Sequence, residues 1–424
     1  MGLWNWLKTW LRPHPITRNI ANLEGDHAQS VTELVDTSGG PLKPHHQRLA
    51  VRDVRFLPKP QRPSSLPSWS RPAKPVVFSK TDAQRFFSAS QRTKNRQLRD
   101  LASDTDQLQR YGLPEWNSED EVAAALGLTV SQLRHYSIHR QRETSPHYVM
   151  FAIRKQQGGH RIIHAPKRRL KKIQRMLLAE LVSKLPVSEF AHGFRRQRSV
   201  ATNAAPHVGK AVVIKLDLAD CFPSLHFGRV RGLLIALGYS YVVATTLAIV
   251  MTEAIRQPVE AEGKIYYVPV GQRFCVQGAP TSPGLCNAIL MRLDRRLAGL
   301  AAKHGFQYSR YADDLTLSGD DPAKAPYLVA MAGKIIRDEG FRVNRKKTRV
   351  LRPSRRQQIT GVVVNQHAGL SRTARRRLRA AIHQLSANDT HSRNQIIGKI
   401  AYLRMLNPDQ AAPLQAALDA KLQY

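Results

Sequence analysis

The stretch Tyr308-Ser-Arg-Tyr-Ala-Asp-Asp-Leu-Thr-Leu-Ser-Gly319 decides how the rest of the chain is read. Two runs of β-favouring residues, Phe306 to Tyr311 and Leu315 to Ser318, flank Asp313 and Asp314. Charged residues between two such runs predict the tip of a hairpin. Neighbouring side chains on a regular strand point to opposite faces, whereas at a turn both can approach one site. A carboxylate pair held that way suits a hard cation such as Mg²⁺, which keeps waters and shares its shell with substrate phosphates. Taken alone, the stretch is equally an ordinary Asp-Asp turn on a surface hairpin.

A nearly continuous apolar run, Ala211-Val-Val-Ile-Lys-Leu-Asp-Leu218, carries Asp217 near its end. That pattern predicts a buried central strand delivering one carboxylate at its tip. Phe222 follows, then the Gly/Pro-punctuated loop Gln277-Gly-Ala-Pro-Thr-Ser-Pro283, then Tyr311-Ala-Asp-Asp314. In order and spacing these motifs resemble the palm of reverse transcriptases, and within that family the retron reverse transcriptases of bacteria. The resemblance runs from Leu113 to the C-terminus. Asn203-Ala-Ala-Pro-His207 resembles the Asn-Ala-x-x-His element of retron enzymes. Ile359-Thr360-Gly361 resembles their Val-Thr-Gly element, with Ile for the first Val.

The 424 residues leave room for two or three subdomains and a sizeable core. Lys plus Arg total 66 against 31 Asp plus Glu, so the formal net charge is +35. Such an excess points to a polyanionic partner, above all nucleic acid. Cys221, Cys275 and Cys286 are odd in number and form no Cys-x-x-Cys. A disulfide framework and a zinc site are therefore not suggested, and a reducing, cytoplasmic setting fits. All three read as small packing residues. Met1 to Arg12 lacks the basic start and the small-residue cleavage site of a secretory signal. The longest charge-free run, Gly232 to Thr252, reads as two buried helices joined at Gly238 and not as a membrane span.

Along the chain, residues 1–112 read as an N-terminal extension, partly disordered. Leu3, Leu7, Trp10 and Leu11 stand at the spacing of a short amphipathic helix, and Pro58 to Pro75 is a Pro/Ser-rich linker. Thr81 to Leu108 is polar with weak helical spacing. Ser118 and Glu121 open a helix to Leu126, Gly127 breaks it, and Val130 to Tyr136 forms a second. Tyr148 to Lys155 and His160 to His164 form a hairpin around residues 156–159, and Ala165-Pro166 leads into a basic helix, Lys167 to Leu185. His192-Gly-Phe194 is singled out without a role. Ser282 is read as the cap and Pro283 as the first residue of a helix to Leu297. Val362 to Asn365 reads as a buried strand, and the last sixty or so residues as helices.

The resemblance implies an α/β (α+β) right-hand polymerase, its palm an antiparallel sheet backed by helices. Residues 113–210 would be the helical lead-in and fingers, 211–365 the palm with 231–275 partly fingers, and 366–424 a helical thumb. It implies RNA-templated synthesis of branched, RNA-linked single-stranded DNA (msDNA) from a cognate noncoding RNA. The cofactors would be two Mg²⁺ ions, with Mn²⁺ as a substitute. Asp217, Asp313 and Asp314 would be the catalytic metal ligands. Asp220 is acidic too but takes a surface or capping role. Arg161 and Lys155 would grip the triphosphate of the incoming deoxynucleotide, and Phe222 would exclude a 2′-hydroxyl. Gln277 would border the nucleotide, and Lys347 would serve the leaving pyrophosphate. Arg372, Arg375, Arg376 and Arg379 would contact RNA. About sixty residues after the palm would not hold a ribonuclease H domain, so template removal would need a host ribonuclease H; the retron resemblance separately implies a role in defence against phage with an effector protein. Competing readings are another bacterial reverse transcriptase lineage, abortive-infection or diversity-generating, and a non-catalytic RNA-binding scaffold.

Overall fold

The computed structural model describes residues 48–50, 102–137, 143–155, 160–261, 264–386 and 389–422. The expected helix in residues 1–11, the Pro/Ser linker, most of the polar stretch before Leu108 and the turn at 156–159 lie outside these residues. The strands are β1 (Arg48–Ala50), β2 (Tyr148–Arg154), β3 (His160–Pro166), β4 (Val212–Ala219), β5 (Glu253–Ala261), β6 (Lys264–Phe274), β7 (Gln307–Tyr311), β8 (Asp314–Gly319), β9 (Arg342–Val343), β10 (Arg349–Leu351), β11 (Gln358–Ile359) and β12 (Val362–Val363). The chain divides into two compact units, one of Met1–Leu185 with Leu225–Leu285, the other of Pro186–Ser224 with Cys286–Tyr424.

In the first unit, β1, β2 and β3 form an antiparallel sheet and β5 pairs with β6 in a long hairpin. Helix Glu119–Ala125 starts where expected: the Ser118 hydroxyl accepts from Glu121 N. Such a cap is worth about 1 kcal/mol. The apolar run is two helices, Phe227–Ala236 and Tyr241–Met251, with Gly238 between them at φ +118. A Cβ at Gly238 would lie 2.8 Å from the Asp104 carbonyl oxygen, so only glycine fits. Among the described residues no helix is long and apolar enough to cross a membrane. The basic helix runs Arg168–Glu180, starting one residue later and ending five earlier than read, and a separate 3-10 turn covers Val182–Lys184.

In the second unit the sheet order is β10-β4-β8-β7, with β9 also paired to β4, all antiparallel. Register puts Ile214, Leu216, Leu315, Leu317, Tyr308 and Arg310 on one face, packed by helices Met291–Lys303 and Ala325–Asp338. The opposite face carries Val213, Lys215, Asp217, Asp314, Thr316 and Ser309. Val213 joins a second core with Val200, Ala204, Ile359, Val362, Val364 and Leu406. Burial on both faces explains why β4 reads as a continuous apolar run. Helices Arg372–His383, Thr390–Leu406 and Pro408–Leu422 follow, around Leu378, Ile382, Ile400, Leu403 and Leu414.

Three local readings are corrected. Ser282 does not cap: the first helical bond runs from Leu285 N to Thr281 O, and the Ser282 hydroxyl is buried without a partner. The helix to Leu297 is instead two helices, Ser282–Ile289 and Met291–Lys303, separated at Leu290. The strand Val362 to Asn365 is only the second arm of a small hairpin, β11–β12. Thr360 (φ +45) and Gly361 (φ +90) turn the chain in two residues, the positive-φ pair of a type I′ turn.

Candidate active site

The carboxylates come together through register. Asp217, on β4, is the register partner of Asp314, the first residue of β8. Tyr311 and Asp314 are also register partners, so Ala312 and Asp313 make a two-residue turn. The sequence reading put both aspartates at the tip; the structure puts Asp313 there and Asp314 on the strand. Ala312 holds a left-handed φ of +58. The Asp313 carbonyl accepts from Leu218 N at 3.1 Å, which fastens the turn to β4.

Asp217 is buried, and its carboxylate is bracketed. Asn344 Nδ2 donates to Oδ2 at 3.0 Å and Lys347 Nζ to Oδ1 at 2.8 Å. Asn344 N also donates to the Asp217 carbonyl at 2.7 Å. Asp314 is pushed up to about 6, first by burial, then by the neighbouring Asp313 and Asp217 charges, with Lys215 and Lys347 opposing. A buried carboxyl with further carboxylates beside it marks a place where positive charge is wanted. Among the described residues no group of three or more His, Cys, Asp and Glu forms a ready cage. Asp220, at φ +50, pairs with Arg342 at 2.9 Å on the surface, as read.

Phe222 is half-buried on the helical turn Cys221–Ser224 that follows β4. Cys221 and Cys286 are buried thiols with sulfurs 3.9 Å apart, and Cys275 is buried as well. In the first unit, Arg161 is exposed on β3 and Lys155 is exposed just past the end of β2. Gln277 is half-buried, and its carbonyl accepts from His164 N at 2.8 Å. A Cβ at Gly278 would lie 2.5 Å from the His164 carbonyl oxygen, so glycine is required there too. Arg372, Arg376 and Arg379 share an exposed face of their helix, while Arg375 turns toward the Leu378 side and is half-buried.

The two retron-like elements meet. His207 is buried, with Nδ1 2.6 Å from the Ser318 hydroxyl and Nε2 2.7 Å from the Ser309 hydroxyl. Ser309 donates to Asn203 Oδ1 at 2.9 Å, and Asn203 Nδ2 donates to the Thr360 hydroxyl at 3.4 Å. Because the Ser309 proton goes to Asn203, His207 donates through Nε2 and accepts from Ser318 through Nδ1. Burial pushes His207 down to about 3, so the ring is neutral. The chain of bonds ties β7 and β8 to the Thr360 turn. A β-branched residue at positive φ is strained, and the Asn203 bond helps to hold it there.

Sequence reasoning missed Asn344 as a partner of Asp217, and the serines as partners of His207. It also missed Arg310. This side chain is fully buried and forked onto Asp294, with Nε–Oδ1 and Nη2–Oδ2 both 2.7 Å. The available signal was period two: Arg310 falls on the Tyr308 face of its strand, and Asp294 on the apolar stripe of Leu293 and Leu297.

Comparisons with known proteins bear on the family of the chain. The reverse transcriptase (RNA-dependent DNA polymerase) family model matches residues 153–364. The chain is similar to the Retron Mx65 reverse transcriptase of Myxococcus xanthus, 56% identical over 408 residues and covering 94% of each chain. It is 42% identical over 328 residues to the Retron Mx162 reverse transcriptase of the same organism, covering 72% of this chain and 67% of that one. It is 30% identical over 308 residues to the Retron Ec86 reverse transcriptase of Escherichia coli, covering 70% and 88%. The carboxylates paired across β4 and β8, the joined retron-like elements and these similarities lead to one conclusion: the chain belongs to the bacterial retron reverse transcriptases, RNA-directed DNA polymerases of msDNA synthesis with a right-hand polymerase fold.

Proposed function

We propose that Asp217, Asp313 and Asp314 hold two Mg²⁺ ions, with Mn²⁺ as a substitute, for nucleotidyl transfer to a hydroxyl of the cognate noncoding RNA. The observation that carries this reading is the Asp217–Asp314 register pair with Asp313 beside it, where burial first and the neighbouring carboxylates second push the Asp314 carboxyl up. When bound, such ions neutralise phosphate charge and favour a deprotonated hydroxyl. Asn344 orients the Asp217 carboxylate through Oδ2 and the backbone. Lys347, now on Asp217, serves the leaving pyrophosphate once a cation takes its place on that carboxylate.

The lead-in and fingers are 113–210 with part of 231–275, the palm is 211–365 around the β10-β4-β8-β7 sheet, and the thumb is 366–424 with the three C-terminal helices. Arg161 and Lys155 grip the incoming triphosphate, a task suited to a guanidinium fork and an ammonium. Gln277 borders the nucleotide. Phe222 selects deoxynucleotides by excluding the 2′-hydroxyl. Arg372, Arg376 and Arg379 contact structured RNA, with Arg375 supporting them from the half-buried side. The primer is the 2′-hydroxyl of a guanosine within the RNA. Template removal falls to a host ribonuclease H, and the system acts in the cytoplasm with an effector protein in defence against phage.

Two measurements test this. Asp313→Asn with Asp314→Asn is expected to abolish DNA synthesis while RNA binding persists; synthesis surviving in that variant would sink the metal assignment. Co-expression with the upstream genomic flank should yield a discrete DNA band that survives ribonuclease and shifts on debranching. DNA without a branch would move the chain away from 2′-primed synthesis.

A further inference from the structure

A fully buried arginine in a catalytic sheet asks for a reason. A well-packed apolar residue at position 310 would serve stability as well or better than a buried ion pair. What it would lack is a donor aimed at the turn. The Arg310 fork onto Asp294 leaves Nη1 free to reach two acceptors, Asn287 Oδ1 and the Ala312 carbonyl oxygen, both at 3.0 Å. Asp294 is fixed in turn by the Tyr308 hydroxyl, which donates to Oδ1 at 2.8 Å. Asn287 Nδ2 donates to the Gly193 carbonyl at 2.8 Å.

Gly193 belongs to the segment that closes the outer edge of β7. Arg310 N donates to the Phe190 carbonyl and His192 N to the Arg310 carbonyl, each at 2.8 Å. A Cβ at Gly193 would lie 2.7 Å from Ala312 N, which gives the His192-Gly-Phe194 element its reason: the backbone passes against the turn. Asp313 is thus gripped on both sides, through the Ala312 carbonyl by Arg310 and through its own carbonyl by Leu218 N. Ala312 keeps a left-handed φ that persists only where the surroundings hold it.

We propose that Arg310, braced by Asp294 and Asn287, is a positioning residue that sets where the Asp313 carboxylate stands. The inference rests on the reading of Asp313 as an ion-holding carboxylate. Arg310 touches neither nucleotide nor ion; it acts through the Ala312–Asp313 peptide. Lysine at this position keeps a cation beside Asp294 but cannot both fork onto it and reach the turn.

The test is direct Mn²⁺ titration of the full-length protein–RNA complex by electron paramagnetic resonance, with Mg²⁺ activation curves and thermal unfolding in EDTA alongside. Arg310→Lys is expected to weaken Mn²⁺ binding about tenfold and to raise half-activating Mg²⁺ by a similar factor, with the deoxynucleotide KM and RNA affinity within about twofold. Asn287→Ser, which leaves the ion pair whole, should move both metal readouts the same way by a smaller factor, and it decides the matter if Arg310→Lys does not fold. Wild-type Mn²⁺ affinity in the folded variants, with only the unfolding temperature lowered, would overturn the proposal. Asp313→Asn separates the two ideas: if it binds Mn²⁺ as tightly as wild type, the metal assignment has failed, and the positioning role falls with it for that separate reason.

Discussion

The Lys347 ammonium sits 2.8 Å from Asp217 Oδ1, on one of the carboxylates proposed to take a cation. Lysine and metal then compete for the same oxygen. Lys347→Ala is expected to lower half-activating Mg²⁺ several-fold while slowing synthesis by about 10²-fold, since a proton or charge donor near the leaving group contributes on that order. Opposite movements are the signature. If the variant needed more Mg²⁺ as well as losing rate, Lys347 would be helping to hold the ion and not yielding to it.

Asp314 makes the metal-free palm less stable than it could be. Its carboxyl is raised in the fold from 3.8 to about 6. The folded state therefore binds a proton between those values that the unfolded state does not. Stability is lost as pH rises through that window, and the penalty is constant above it. Asp314→Asn removes the penalty: in EDTA at pH 7 to 8 the variant should be more stable by about 1–3 kcal/mol, and the gap should close as pH falls toward 4. Urea unfolding across that range measures it; an equally large gap at pH 4 would refute the account.

His207 works in the other direction. Held at about 3, against 6.5 in an unfolded chain, it leaves the folded state one proton short between those values. The stability it contributes is present above pH 6.5 and lost as pH falls. His207→Gln should cost about 1–3 kcal/mol at pH 7 through the broken bonds to Ser309 and Ser318. The difference from wild type should shrink by up to about 1.4 kcal/mol per pH unit below 6.5. A difference independent of pH would mean that His207 titrates normally.

The exposed arginine face of helix Arg372–His383 predicts a salt effect. Replacing Arg372, Arg376 and Arg379 together by Ala should weaken RNA binding and reduce the slope of log affinity against log salt by about 2–3, near 0.7–0.9 per phosphate contact. Arg375→Ala, from the half-buried position, should lower thermal stability more than the slope. A filter-binding series from 50 to 300 mM KCl distinguishes them, and an unchanged slope in the triple variant would remove this face from the RNA interface.

What was legible in the sequence was what regular backbone dictates. The apolar run into Asp217 and the strand-turn-strand around Asp313 are local patterns, and register does the rest by bringing Asp217 and Asp314 side by side. What was not legible depends on tertiary contacts between distant side chains. Nothing local pairs Arg310 with Asp294, His207 with Ser309 and Ser318, or Asn344 with Asp217, because those partners lie far apart in sequence or on different elements. Of the strand expected over Val362 to Asn365, only Val362 and Val363 pair in a ladder, across the Thr360–Gly361 turn with Gln358 and Ile359, a short hairpin that the apolar run alone does not specify.

The pairing of β4 has a consequence for how the chain is made. Its neighbours β8, β9 and β10 all lie later in sequence, and a segment of the other unit is interposed before them. A ribosome must therefore complete Arg349 to Leu351 before β4 can find its last partner, and such non-local closure is slow. Until β8 is made Asp217 has no Asp314 beside it, and until Arg349 to Leu351 is made β4 keeps one edge open. The open edge of an apolar strand is exposed to aggregation in the meantime, and chaperone dependence should track the interval between β4 and β10 more than total chain length.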